Sequence, residues 1–123
     1  MGKIQKIIPK RGEVFLVNFD PTVGSEIQKI RPVVILQNNI ANKYSPLTIV
    51  AAISSYQEGE DLYPVEVFVK KNNTGLIKDS IIILNQIRTV DNQRLIKKLG
   101  YVEEAVMQKV DIALQLSLGI IQP

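Results

Sequence analysis

Apolar residues in this chain arrive in short runs rich in branched side chains, at residues 33–36, 49–53 and 81–84, each closed within a few positions by polar or turn-forming residues. A membrane-spanning helix needs about 20 apolar residues in succession, so runs of this length cannot cross a bilayer. β-Branched side chains fit a pleated, half-buried surface, and the runs read as buried strands. Residues 13–19 add another: Val14, Leu16 and Asn18 fall on one face, Phe15, Val17 and Phe19 on the other, and both faces are largely apolar. A strand of that pattern is covered on both sides.

The rest of the chain continues the pattern. Asp20-Pro21 ends the first strand and residues 22–30 form a polar loop. Strands are expected over 32–37, with Pro32 at the first position where a lost N–H is tolerated, over 48–54, over 64–69 with one exposed face, and over 79–84, with 86–90 extending or following it. Residues 38–44 read as a short helical turn, 71–75 as a turn, 91–94 as a tight turn or 3₁₀ piece, and 95–101 as the last strand. After that the period changes. Val102, Val106, Val110, Leu114 and Leu118 recur every four residues, flanked by Met107 and Ile121, with Glu103, Glu104, Gln108, Lys109, Asp111 and Gln115 opposite. This is an amphipathic helix with acids in its first turn, where the dipole favours them, and no good N-cap residue precedes it. A mostly β domain with a C-terminal helix, a small SH3-like β-barrel, is the fold class these elements imply. With 46% hydrophobic residues in 123, one domain over 11–123 is expected, after a lead-in at 1–10.

Composition narrows the chemistry. The chain has no cysteine and no histidine, which removes thiolate nucleophiles, disulfides, imidazole acid–base catalysis and nearly every transition-metal site. The twelve carboxylates are scattered without an Asp-x-Asp or paired-Glu arrangement, a poor basis for a Mg²⁺ site. No metal and no cofactor is expected, and catalysis would fall to Arg, Lys, Ser, Thr, Tyr or Gln. The lack of cysteine and of a leader-like start points to the cytoplasm. The net charge of +3 is uneven: residues 1–43 carry seven basic and three acidic groups, residues 44–123 eight and nine. The basic excess is either an ordinary solvated surface or the footprint of a polyanion.

That excess surrounds residues 20–38, where a Gly-containing loop meets Arg31-Pro32 and then the apolar run. Proline drives the residue before it to extended geometry, so Arg31 stands where a loop joins a sheet, a position suited to a binding or catalytic cation.

The segment RGEVFLVNFDPTVGSEIQKIRPVVILQNN, followed by IVAAISS and LNQIRTVDNQRL, resembles the MazF/PemK family of bacterial toxins over nearly the whole chain. The resemblance implies a MazF/CcdB-like barrel, a homodimer, metal-independent cleavage of single-stranded RNA, and an antitoxin whose acidic C-terminal tail occupies the RNA groove. Ile27, Gln28, Lys29 and Ile30 depart from the small-residue run common in the family, which makes the loop stiffer and more basic. By resemblance Arg31 is catalytic, joined by Ser54 in place of the family's Thr or Ser after the third strand; Ser55 is the fallback, since adjacent strand residues face opposite ways. Glu26 is suited to orienting Arg31 or reading a base, Ser25 and Gln28 to contacting phosphate or base, Gln86 to a base edge and Arg88 to backbone phosphate. Phe19 and Tyr44 are candidates for stacking. The plainer readings are an Arg31–Glu26 pair, an Asp91–Arg94 pair, and core packing for both aromatics.

Two other functions compete with RNA cleavage. Toxins of the same fold poison DNA gyrase without cutting anything, and a basic SH3-like module would bind RNA without cleaving it.

Overall fold

The computed structural model describes residues 6–19 and 29–123. One antiparallel sheet is built from β1 (Glu13–Asn18), β2 (Ile30–Ile35), β3 (Leu47–Ser55), β4 (Glu66–Val69), β5 (Ser80–Asp91) and β6 (Leu95–Tyr101), in the order β4-β5-β3-β2-β1-β6. Helix α1 (Asn39–Tyr44) joins β2 to β3, a 3₁₀ turn (Asn92–Arg94) joins β5 to β6, and helix α2 (Glu104–Ser117) follows the sheet. No helix among the described residues is long and apolar enough to cross a membrane.

Period-2 alternation divides the core in two. Val14, Val34, Ala51 and Ile53 share a cluster with Val67, Val69, Ile82 and Leu84, into which α2, packed on β4 and β5, buries Met107, Val110 and Ala113. Phe15, Val17, Val33, Ile35 and Val50 point the other way and gather with Val90 and Leu95. Both faces of β1 and β2 are thus covered, as the unbroken apolar runs require. Ile7 in the lead-in packs on the second cluster, and Pro9 is buried.

Strand β4 starts at Glu66, two residues later than the sequence reading, and three further elements differ from it. Strand β2 starts two residues before Pro32, because Ile30 and Arg31 pair with Asn18 and Val17 of β1. It stops at Ile35, after which the N–H groups of Leu36 and Gln37 both turn onto the Ile49 carbonyl (2.8 and 3.3 Å) and the chain bends into α1, where Asn38 Oδ1 accepts from the Ala41 N–H (2.8 Å). The segments at 79–84 and 86–90 are one strand, β5. Its register on β3 jumps from Ala52↔Ile83 to Ala51↔Ile87, leaving Leu84, Asn85 and Gln86 as a bulge. The every-fourth-residue stripe faces the core from Val102 through Val106 and Val110 to Leu114 and is lost at Leu118. Successive steps of four rotate by about 40° at 3.6 residues per turn, so Leu118, past the helix end, is 56% exposed.

The edge strands β4 and β6 do not pair with each other. The turn after β4 docks on β6 instead: the Tyr101 N–H donates to the Asn73 carbonyl (2.9 Å), and Gly75 lies against the Leu99 backbone. That docking curls the sheet into its barrel-like form and walls one side of a groove.

Candidate active site

The groove has a volume of about 990 Å³ and opens where β2 and β3 part. Their ladder pairs Val33 with Ala52, Val34 with Ala51 and Ile35 with Val50, and ends there. Pro32 brings no N–H with which to prolong it. Two residues further in the same register, Arg31 and Ser54 would stand opposite one another, and both line the groove. The Arg31 side chain is exposed, with Nη1 donating to the Ile30 carbonyl at 3.1 Å. Its strand is held on the other side by the Val17 pairing, so a fixed backbone presents a solvent-facing guanidinium.

Ser54 and Ser55 close β3 opposite Ile81 and Ser80 of β5, and both are exposed. Alternation does not separate them here: at this end of the strand, beyond the last β2 pair, both line the groove. The β5 bulge brings in the second cluster. Bulges re-aim side chains beside functional sites. Here Gln86 and Arg88 reach the groove, with Arg88 paired to Val50 in the ladder and its guanidinium carbon 4.6 Å from the centroid of the Phe19 ring.

Of the eight residues given catalytic or substrate-binding roles from sequence, five, Arg31, Ser54, Ser55, Gln86 and Arg88, thus meet in one groove. Ser25, Glu26 and Gln28 lie outside the described residues, and so does the proposed Arg31–Glu26 pair. Phe19 lines the groove as well as touching the core. Tyr44 does not line it: on α1 the ring is 74% exposed, beside the Lys43 ammonium. Asp91 caps the 3₁₀ turn by accepting from the Gln93 N–H (2.9 Å), and Arg94 Nη1 donates to the Asn18 carbonyl (3.2 Å). Lys78 and Ile77, from the stretch before β5, also line the groove. Sequence reasoning missed both, because only the docking of the preceding turn on β6 brings that stretch to the site.

Electrostatically the groove is one-sided. Its described lining includes the cations Arg31, Lys78 and Arg88 and no Asp or Glu. The ion pairs of the described residues lie elsewhere, Arg11 with Asp111 between the start of β1 and α2, and Lys98 with Glu13 (2.7 Å) between β6 and β1. Guanidinium and ammonium groups beside hydroxyls, with no carboxylate among the described lining residues, suit a phosphodiester: arginine meets two phosphate oxygens with parallel N–H bonds, and a serine hydroxyl donates to one of the same oxygens.

Residues 10–118 match the family described as PemK-like, MazF-like toxin of type II toxin–antitoxin system. The chain belongs to this family. It is 44% identical over 115 residues to the endoribonuclease EndoA of Bacillus subtilis (strain 168), covering 94% of this chain and 98% of that protein. Solved structures share the MazF fold at lower identity. An endoribonuclease from a mycobacterial species is 22% identical with a TM-score of 0.76, covering 95% of this chain and 97% of the other. The MazE–MazF complex (Form-II) of Deinococcus radiodurans gives 24% and 0.76, covering 94% and 99%. Within the MazF/PemK fold, the groove between β2, β3 and the β5 bulge brings together Arg31, Lys78 and Arg88 with the hydroxyls of Ser54 and Ser55.

Proposed function

We propose that this protein is the toxin of a type II toxin–antitoxin system, an endoribonuclease that cuts single-stranded RNA without a metal ion. The observation that carries the reading is the groove itself, in which Arg31 and Ser54 share one wall with further cations and no carboxylate among the described lining residues. Membership of the family and the 44% identity to an endoribonuclease support it.

RNA supplies its own nucleophile. The 2′-oxygen forms a bond to the adjacent phosphorus as its proton leaves. The bond from phosphorus to the 5′-oxygen breaks, and that oxygen takes up a proton. The products are a 2′,3′-cyclic phosphate and a 5′-hydroxyl. Negative charge gathers on the non-bridging oxygens midway, and Arg31 is the group that holds it. Arginine stays protonated at neutral pH, so Arg31 stabilises charge or delivers a proton and does not act as the base. Ser54 donates to a non-bridging oxygen or orients the 2′-hydroxyl. Ser55, Gln86 and Arg88 bind the flanking nucleotides, joined by Ser25, Glu26 and Gln28 of the loop. The family match and the 44% identity to an endoribonuclease favour cleavage over a gyrase poison or a passive RNA-binding module.

The same charge distribution supports an antitoxin partner with an acidic C-terminal tail seated in the groove. Exposed Ile112, Leu118 and Ile120 on and beyond α2 support a homodimer, which would cover them. The cytoplasm, where RNA and a reducing environment coincide, is the proposed location.

The test is incubation of the purified protein with mixed-sequence single-stranded RNA in EDTA, with the new ends characterised. Cleavage to cyclic phosphate and 5′-hydroxyl ends is expected. Strict dependence on added Mg²⁺, or full activity in Arg31→Ala, would overturn the proposal.

A further inference from the structure

Arg88 is an exposed cation with an unusual support. Its guanidinium carbon lies over the Phe19 ring, 4.6 Å from the centroid, well inside the roughly 6 Å over which a ring's quadrupole attracts a cation. Neither partner hangs on a free loop. The Phe19 ring packs on the cluster containing Phe15 and Val17, and its backbone N–H donates to the Lys29 carbonyl at 2.8 Å. Arg88 is fixed through the Val50 pairing. The ring lies against the guanidinium, and the exposed side chain lines the groove.

Backbone phosphate is met along the N–H edges of a guanidinium and needs nothing behind it. A ring behind it defines which way the plane looks, and that matters for stacking. Unpaired RNA bases stack on aromatic rings and on arginine planes, and their edges are then read by polar side chains. Gln86, two residues away and also lining the groove, offers an amide with both donors and an acceptor.

We infer that Phe19 is a positioning residue for RNA recognition: it holds Arg88 as a shelf on which an unpaired nucleobase stacks, at a subsite distinct from the Arg31–Ser54 pair. Arg88 pairs with Val50 and Ser54 with Ile81, so the backbones of Arg88 and Ser54 lie roughly 13 Å apart along β3 at about 3.3 Å per residue, while Arg31, opposite Val17, lies nearer the shelf. The inference rests on the RNA-cleaving reading and deepens it.

Cleavage kinetics and the affinity for fluorescently labelled mixed-sequence single-stranded RNA test it. Phe19→Leu keeps the apolar packing and removes the ring face. It is expected to raise KM and the dissociation constant about tenfold, within the range seen for loss of one stacked base, with kcat changed less than twofold. Phe19→Tyr restores both. Arg88→Lys keeps the charge but lacks the plane, and is expected to behave as Phe19→Leu does. The chain has no tryptophan, so Phe19→Trp supplies a single emitter beneath Arg88. Its emission is expected to change on RNA addition, and to do so no longer when combined with Arg88→Lys. The inference is overturned if Arg88→Lys matches the wild type while Arg88→Ala does not, which would make Arg88 a phosphate contact. It is also overturned if Phe19→Leu is indistinguishable from wild type or loses kcat instead of affinity. Should Phe19→Leu fail to fold, the Arg88→Lys and Phe19→Trp measurements decide. If the wild type cuts no RNA in EDTA the nuclease reading fails, while the affinity and emission measurements still decide the shelf.

Discussion

Gly75 lies so close to Leu99 that a Cβ on it would come within 2.1 Å of the Leu99 carbonyl oxygen. Both residues line the groove, and the contact is where the turn after β4 closes on β6. Gly75 also has φ +75°, a region open to glycine and costly for other residues. Gly75→Ala therefore meets a backbone clash and an unfavourable dihedral at once. A loss of about 2 kcal/mol or more is expected, measurable by urea denaturation, with a parallel loss of RNA cleavage as the wall moves. The same substitution at Gly59, which has φ +86° but open space around it, would cost less.

Arg31 is expected to separate stability from activity. It is exposed, with one hydrogen bond to the neighbouring Ile30 carbonyl, so Arg31→Ala should move folding stability by less than about 0.5 kcal/mol. As the donor to a charged transition state it should lower kcat by about 10²–10³. Arg31→Lys should recover only part of this, because an ammonium is a point charge and cannot bridge two phosphate oxygens in parallel. Single-turnover cleavage of one RNA by the three proteins checks the order.

The two hydroxyls at the end of β3 are distinguished by the same assay. Continued two residues past its last pair, the β2–β3 register would set Ser54, not Ser55, opposite Arg31. Ser54→Ala should lower kcat by about 10²-fold if its proton participates in the transition state, Ser54→Thr should keep activity, and Ser55→Ala should stay within a few-fold of wild type. The reverse order would move the catalytic hydroxyl one residue along the chain.

The strands were legible because two-sided burial leaves an unmistakable imprint: a run such as Val33-Val34-Ile35 has no polar face to offer. The placement of Arg31 at the start of β2 was legible because proline restricts the geometry of the residue before it. The β5 bulge was not, since Leu84, Asn85 and Gln86 carry no local signal that Ala52 and Ala51 pair on either side of them. Lys78 escaped for a related reason: it reaches the groove through a turn whose docking partner, β6, lies about twenty residues further along the chain. Both are long-range effects that no local period encodes.

Helix α2 gives a test of packing. Met107 is 3% exposed and sits among the α2-facing core, whereas Leu118 is 56% exposed beyond the helix end. Sequence periodicity ranks Leu118 with the core and Met107 at its flank; burial ranks them the other way. Met107→Ala should cost about 2–5 kcal/mol, the range for emptying a buried site of that size, and Leu118→Ala less than about 1 kcal/mol in the monomer. Urea midpoints at matched slope measure both. A loss at Leu118 that grows with protein concentration would instead report the proposed dimer.

Lys78 offers the cleanest electrostatic prediction, because it adds charge to the groove without belonging to either the Arg31–Ser54 pair or the Arg88–Phe19 contact. Each phosphate neutralised on single-stranded nucleic acid releases counterions and contributes about −0.7 to the slope of log affinity against log salt. Lys78 lines the groove and is exposed, and its carbonyl accepts from the Ser80 hydroxyl at 2.9 Å while its ammonium has no carboxylate in the described groove lining. Lys78→Gln should therefore weaken RNA binding at low salt, flatten the slope by about 0.7, and leave the identity of the cut sites unchanged, since an ammonium on a phosphate carries no sequence information. A titration of one labelled RNA from low to high salt with both proteins, alongside end-mapping on a long RNA, measures the slope and the cut sites together. An unchanged slope would mean that the RNA backbone passes the groove on the side of Arg31 and Arg88 alone.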